Sequence, residues 1–61
     1  MSEPIEVVMM EEFGLEAHHW PNGWCAERYT ETTLSETGLY PTLDALKAAL
    51  TEDTVAWVKT G

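Results

Sequence analysis

Sixty-one residues with eleven acids against three bases, a formal net charge of −8, predict one small acidic domain over residues 1–61, too short for the deep pocket of a typical enzyme. The charge excludes direct binding to nucleic acid, whose phosphates need Lys and Arg to release their counterions, and sets the chain against anionic membrane surfaces. An apolar content of 44% with three Trp excludes a disordered chain.

The opening "MSEPIEVVMMEEF" has no basic segment and no cleavage site, so no signal peptide is expected. No apolar run reaches transmembrane length. Cys25 is the only cysteine and can form no intramolecular disulfide, which fits a reducing compartment. A soluble, cytoplasmic protein is expected, in the host cytoplasm if the chain is phage-encoded.

"IEVVMM" is apolar and β-branched, and it predicts the first strand. Ile5, Val7, Met9, Phe13, Leu15 and Ala17 alternate with mostly polar even positions, the period of an extended chain. The break at Glu11-Glu12 is either a bend in one long strand or the junction of two, and Gly14 fits a bulge or bend there. "WCAERYTETT" predicts the next strand. "SETG" reads as a loop or turn, with a short strand possible through Leu39.

"PTLDALKAAL" is the one clear helix, at about 42–51. Thr42 is its N-cap, Asp44 suits the positive end of the helix dipole, and Leu43, Leu46, Ala49 and Leu50 form its apolar face. "VAWVK" predicts a last strand. The expected architecture is a small α+β domain, an antiparallel sheet of three to five strands in the order β-β-β-α-β with the helix packed on one face.

The register of the central hairpin decides what chemistry is possible. "HHWPNGWC" holds both histidines, the cysteine and two of the three Trp. Pro21-Asn22-Gly23 is turn chemistry, and a three-residue loop closing on Gly23 is expected. Counting outward places Trp20 opposite Trp24, His19 opposite Cys25, His18 opposite Ala26 and Glu16 opposite Arg28. A two-residue Asn-Gly turn is the competing register and loses the Trp–Trp and Glu–Arg pairs. In the favoured register Phe13, Leu15, Ala17, Cys25 and Tyr29 lie under the helix, and Trp20, Trp24, His18, Glu16 and Arg28 lie on the other face. Glu27 and Glu31 then fall on the apolar side, a defect of this scheme.

With His18 and His19 on opposite faces, only His19 can meet Cys25, and two ligands make no zinc site. A Cys-His nucleophile from the same pair lacks an oxyanion device, and a buried cysteine is usually inert. No catalytic, cofactor-binding or metal-ligating residue is assigned, and no enzyme is expected.

The charge points instead to a basic protein surface as partner, most naturally that of a nucleic-acid-binding protein or complex. Glu12 with Glu16, and Glu27 with Glu31, share strand faces at a spacing that can imitate a phosphate row. Trp20 and Trp24 at the hairpin tip, with Glu11, Glu12, Glu16, Glu27 and Glu31, form the expected partner-binding set. Small acidic proteins of this kind are typical of phages and mobile elements that disarm host defence, the anti-CRISPR, anti-restriction and DNA-mimic inhibitors; the similarity is one of size and charge, and no motif carries it. The alternative is an antitoxin-like module or small subunit acting through strand edges or homo-oligomer contacts involving Ile5, Val7 and Met9. Both a monomer and a homodimer fit the composition.

Overall fold

The structure, a computed structural model, describes residues 3–60. Met1, Ser2 and Gly61, included in the domain expected over 1–61, lie outside the described residues. Five strands and one helix follow one another as β1 (Glu6–Met10), β2 (Leu15–Trp20), β3 (Gly23–Tyr29), β4 (Leu34–Glu36), α1 (Leu43–Thr51) and β5 (Val58–Lys59). All strands belong to one antiparallel sheet in the order β1-β2-β3-β4-β5. The α+β class and the single helix are as expected. The fourth strand falls within "SETG" and its flank, where the sequence predicts a loop or turn.

The break at Glu11-Glu12 joins two strands. Phe13 and Gly14 both donate backbone hydrogen bonds to Met10 O, and Gly14 has φ 66°, a left-handed conformation that glycine adopts without the Cβ penalty.

The second hairpin corrects the register. Trp20 pairs with Gly23, so the loop is Pro21-Asn22 alone, and the ladder continues as His19↔Trp24, His18↔Cys25, Ala17↔Ala26 and Glu16↔Glu27. Neither weighed register, the three-residue loop nor the Asn-Gly turn, is the one formed. Neither Pro21 nor Asn22 has a positive φ, as proline's locked ring requires of its own position. Gly23 serves the strand rather than the loop. Trp24 and Tyr40 exchange backbone hydrogen bonds of 2.8 and 2.7 Å, drawing the Tyr40 carbonyl over Gly23. A Cβ on Gly23 would lie 2.5 Å from Tyr40 O. Only glycine admits so close a backbone approach.

A one-residue slip moves every affected side chain to the other face of a sheet. Cys25 and Tyr29, expected under the helix, lie on the opposite face. Trp24 and Arg28, expected there, lie on the helix side. The Trp20–Trp24 and Glu16–Arg28 pairs do not form. Trp24 instead stacks on His19 with ring centroids 4.2 Å apart and an interplanar angle of 4°, and the Arg28 guanidinium sits 4.3 Å over the Trp57 ring.

Met10, Ala17, Ala26 and Leu46 form the buried core, with Val8, Phe13, Leu15, Trp24, Tyr40, Leu43, Leu50 and Trp57 packed around it. The opposed Ala17 and Ala26 leave room for the helix to settle on the sheet through Leu46. The Thr42 hydroxyl caps α1 by accepting from Ala45 N at 3.0 Å. Thr37 extends the ladder beyond β4. Its N–H donates to Ala26 O, and its Oγ1 accepts from Ala26 N at 3.0 Å. Among the described residues no helix is long and apolar enough to cross a membrane.

Candidate functional site: a carboxylate row on the open sheet face

The helix covers one face of the sheet, and the corrected register defines the other. Two rows of side chains cross that open face. One is Val7–His18–Cys25, and the next is Met9–Glu16–Glu27–Glu36–Val58, which spans all five strands. Three carboxylates thus stand side by side on β2, β3 and β4, where neighbouring strands lie only about 4.8 Å apart. Apolar residues close both ends of the row, with Met9 57% and Val58 59% exposed. Ile5, Val7, Tyr29 and Leu39 are also exposed.

Like charges directly opposite one another destabilise a sheet unless something compensates them. His18 is the first compensation. Its Nε2 lies 3.1 Å from Glu16 Oε1 and its Nδ1 lies 3.1 Å from Glu27 Oε2. Tyr29 is the second, its hydroxyl donating to Glu27 Oε1 at 3.0 Å. That hydrogen bond to a carboxylate holds the Tyr29 hydroxyl above its usual range, because it favours the protonated phenol. Glu27 is only 6% exposed and His18 only 9%, so little of this electrostatics is screened by water.

Glu36 completes the row. Burial, followed by its contact with Glu27, holds its carboxyl above the ordinary carboxylate range, while His18 pulls the other way. Two carboxyls this close share a proton or a cation more readily than they both ionise. Cys25 stands beside them, and burial pushes its thiol up, opposed by a hydrogen-bonding contact with Trp20 and reinforced by Glu36 and Glu27. One ligand atom each from Cys25, Glu27 and Glu36 can be chosen so that all lie within 4.8 Å of one another.

An open concavity of about 520 Å³ adjoins the cluster, lined by Trp20, Pro21, Asn22, Cys25, Glu36, Thr37, Gly38 and Leu39. Cys25 and Glu36 therefore belong to both features, and the concavity connects the cluster with solvent.

The structure brings together part of the expected partner-binding set. Glu16 and Glu27 are neighbours in the row, and Trp20 stands on the same face in the wall of the concavity. Trp24 is on the helix side, packed against the core. Glu11 and Glu12 are exposed in the turn between β1 and β2, where Glu12 comes within 3.5 Å of the Lys47 ammonium. Glu31 is exposed in the loop after β3. The carboxylate series expected along single strands, Glu12 with Glu16 and Glu27 with Glu31, therefore does not form, because Glu12 and Glu31 lie outside the strands. The series that does form runs across strands.

His18, Cys25, Tyr29 and Glu36 are the members that sequence reasoning did not group. One signal for them was present: the buried-side placement of Glu27 was a defect of the expected register, and a one-residue shift removes it. The chain matches no family model, and neither the curated proteins nor the solved structures hold a protein similar to it.

Proposed function

We propose that the chain is a small acidic protein-binding inhibitor that lays its open sheet face on a basic, nucleic-acid-binding surface of a partner protein and blocks it. The observation that carries this reading is the row Glu16–Glu27–Glu36 flanked by the exposed Met9 and Val58. Lys or Arg side chains of a partner would meet carboxylates that are already partly desolvated, where a charge-assisted hydrogen bond is strong. The apolar flanks add area that gains by leaving water. A second copy of the chain is a poor occupant of this face, since it would set three carboxylates against three. Size and charge fit the counter-defence inhibitors of phages and mobile elements, and the chemistry proposed is binding rather than reaction.

The test is capture of host proteins on the tagged chain at low and high salt. The expected partner elutes as salt rises, is displaced by duplex DNA, and is not retained by a Met9→Lys plus Glu16→Lys variant. A partner indifferent to salt, to DNA and to both substitutions overturns the reading.

A second reading is favoured by the edge strand β1, on which Val7 and Met9 are exposed, with exposed Ile5 just before it. Strands with exposed apolar edges invite pairing with another chain or with a second copy. Light scattering separates the two: a stable dimer at low concentration that Val7→Lys dissociates supports edge pairing, and a monomer supports the inhibitor.

A further inference from the structure

The register that places His18 opposite Cys25 also sets a thiol beside two carboxylates of the docking row. Cys25 supplies a thiol, Glu27 and Glu36 supply carboxylates, and one ligand atom from each lies within 4.8 Å of the others. A tetrahedral ion with bonds of about 2.0–2.3 Å holds its donor atoms about 3.3–3.8 Å apart. Side-chain rotations of the order of 1 Å, estimated from those bond lengths, close the set.

His18 is an independent pointer to a ligand. It is 9% exposed, and its Nδ1 is buried with no hydrogen-bond partner among the described residues. Glu27 Oε2 is 3.1 Å away but off the line of a hydrogen bond. On the far side of the ring, Nε2 meets Glu16 Oε1 at 3.1 Å. A neutral imidazole that donates from Nε2 to Glu16 presents its lone pair at Nδ1. This is the arrangement by which a carboxylate fixes the tautomer and orientation of a metal-ligating histidine.

We infer that the open face holds a divalent transition-metal site, with Cys25, Glu27 and Glu36 as ligands, His18 Nδ1 as a fourth that must turn towards them from outside that cluster, and Glu16 as the residue that positions His18. The thiolate and imidazole select a borderline ion of the zinc class over calcium or magnesium, which require oxygen donors. On binding, the Cys25 Sγ–H proton and any proton shared by Glu27 and Glu36 pass to solvent as the metal bonds form. The concavity lined in part by Cys25 and Glu36 is the route of entry. The inference shares Glu27 and Glu36 with the docking proposal, and its test reads metal binding by the isolated chain, so that either can fail without the other.

The test uses the untagged full-length protein under reducing conditions. Titration with Co²⁺ is expected to give tetrahedral d–d bands and a near-ultraviolet thiolate charge-transfer band that saturate at one ion per chain. Zn²⁺ is expected to bleach both and to raise Tm by about 20 °C at a hundredfold excess over Kd, with no rise from Ca²⁺ or Mg²⁺. Cys25→Ser removes the charge-transfer band. Glu36→Gln, nearly isosteric, weakens Co²⁺ binding at least about tenfold, and Glu16→Gln weakens it about 10–100-fold through His18 alone. Circular dichroism checks that each variant is folded, and Glu36→Gln keeps the test decisive if Cys25→Ser is not. No thiolate band and no Zn²⁺-dependent Tm rise in the parent chain, or Co²⁺ binding unchanged in Glu36→Gln, overturns the site.

Discussion

Glu27 and Glu36 stand directly opposite one another on β3 and β4, and burial together with this pairing holds the Glu36 carboxyl above its ordinary range. A carboxyl whose folded pKa is raised stabilises the fold below its unfolded pKa, and that contribution is lost as pH rises through the folded value. The metal-free protein therefore loses stability through Glu36 as pH rises out of the mildly acidic range. Glu36→Gln removes one of two facing charges, each such like-charge pair being worth a few tenths of a kcal/mol or more. Urea denaturation in the presence of a chelator, repeated from acid to neutral pH, is expected to show Glu36→Gln more stable than the parent at neutral pH and flatter across the series. A variant as pH-sensitive as the parent removes Glu36 as the cause.

Gly14 and Gly23, both with positive φ, differ in what surrounds them. Gly14 is free of neighbours within 4 Å of a built Cβ, whereas at Gly23 the same atom would meet the Tyr40 carbonyl at 2.5 Å. Gly14→Ala is expected to lose only the left-handed penalty, about 1 kcal/mol. Gly23→Ala adds a backbone collision that a flexible side chain cannot relieve. It is expected to lose about 3 kcal/mol or more, with strain and the broken Trp24–Tyr40 bridge together. Denaturation midpoints of the two variants, side by side, measure the difference; equal losses contradict the role given to Tyr40.

The two tryptophans of the hairpin are not equivalent. Trp24 packs against the buried core and stacks on His19, while Trp20 lines the concavity on the open face. Trp24→Ala is expected to destabilise the fold by about 2–3 kcal/mol, towards the lower end for large-to-small aromatic changes because Trp24 is only half-buried. Trp20→Ala is expected to change stability by less than about 1 kcal/mol, as for substitutions outside the core, while weakening capture of the basic partner. Thermal unfolding and capture, run on both variants, separate the structural ring from the binding one.

What was legible in the sequence was local. Alternation marked the strands, and Thr42, Asp44 and the leucine spacing marked the helix, because period and capping act within a few residues. The hairpin register was not local. Pro21-Asn22-Gly23 is compatible with more than one loop length, and the choice is fixed by Tyr40, which bonds to Trp24 from beyond β4. That single parity decides the candidate site. In the expected register His18, Cys25 and Glu27 are divided between two faces, and in the observed one they share a face with Glu16 and Glu36. Glu36 was hidden for a second reason. A three-residue strand carries too little pattern to be read, and β4 exists through its pairing with β3 and β5.

Helix α1 ends in a conformation that its sequence does not favour. Glu52 is the C-cap, and Asp53 follows with φ 56°, the left-handed position that glycine usually occupies after a helix. Its carboxylate also stands at the negative end of the helix dipole, in a chain of net charge −8, where an anion is disfavoured by about 0.3–1 kcal/mol. Both effects point the same way. Asp53→Gly is expected to stabilise the protein by about 1 kcal/mol, the sum of relieved backbone strain and removed charge, less the entropy glycine adds to the unfolded chain. Asp53→Asn keeps the side-chain shape and removes only the charge, so about half that gain is expected, the part assigned to the dipole. Thermal melts at low and high salt divide the two contributions: the asparagine gain shrinks with salt, and the additional glycine gain persists. A glycine variant no more stable than the parent would show that the Asp53 side chain holds this helix end through a contact of its own.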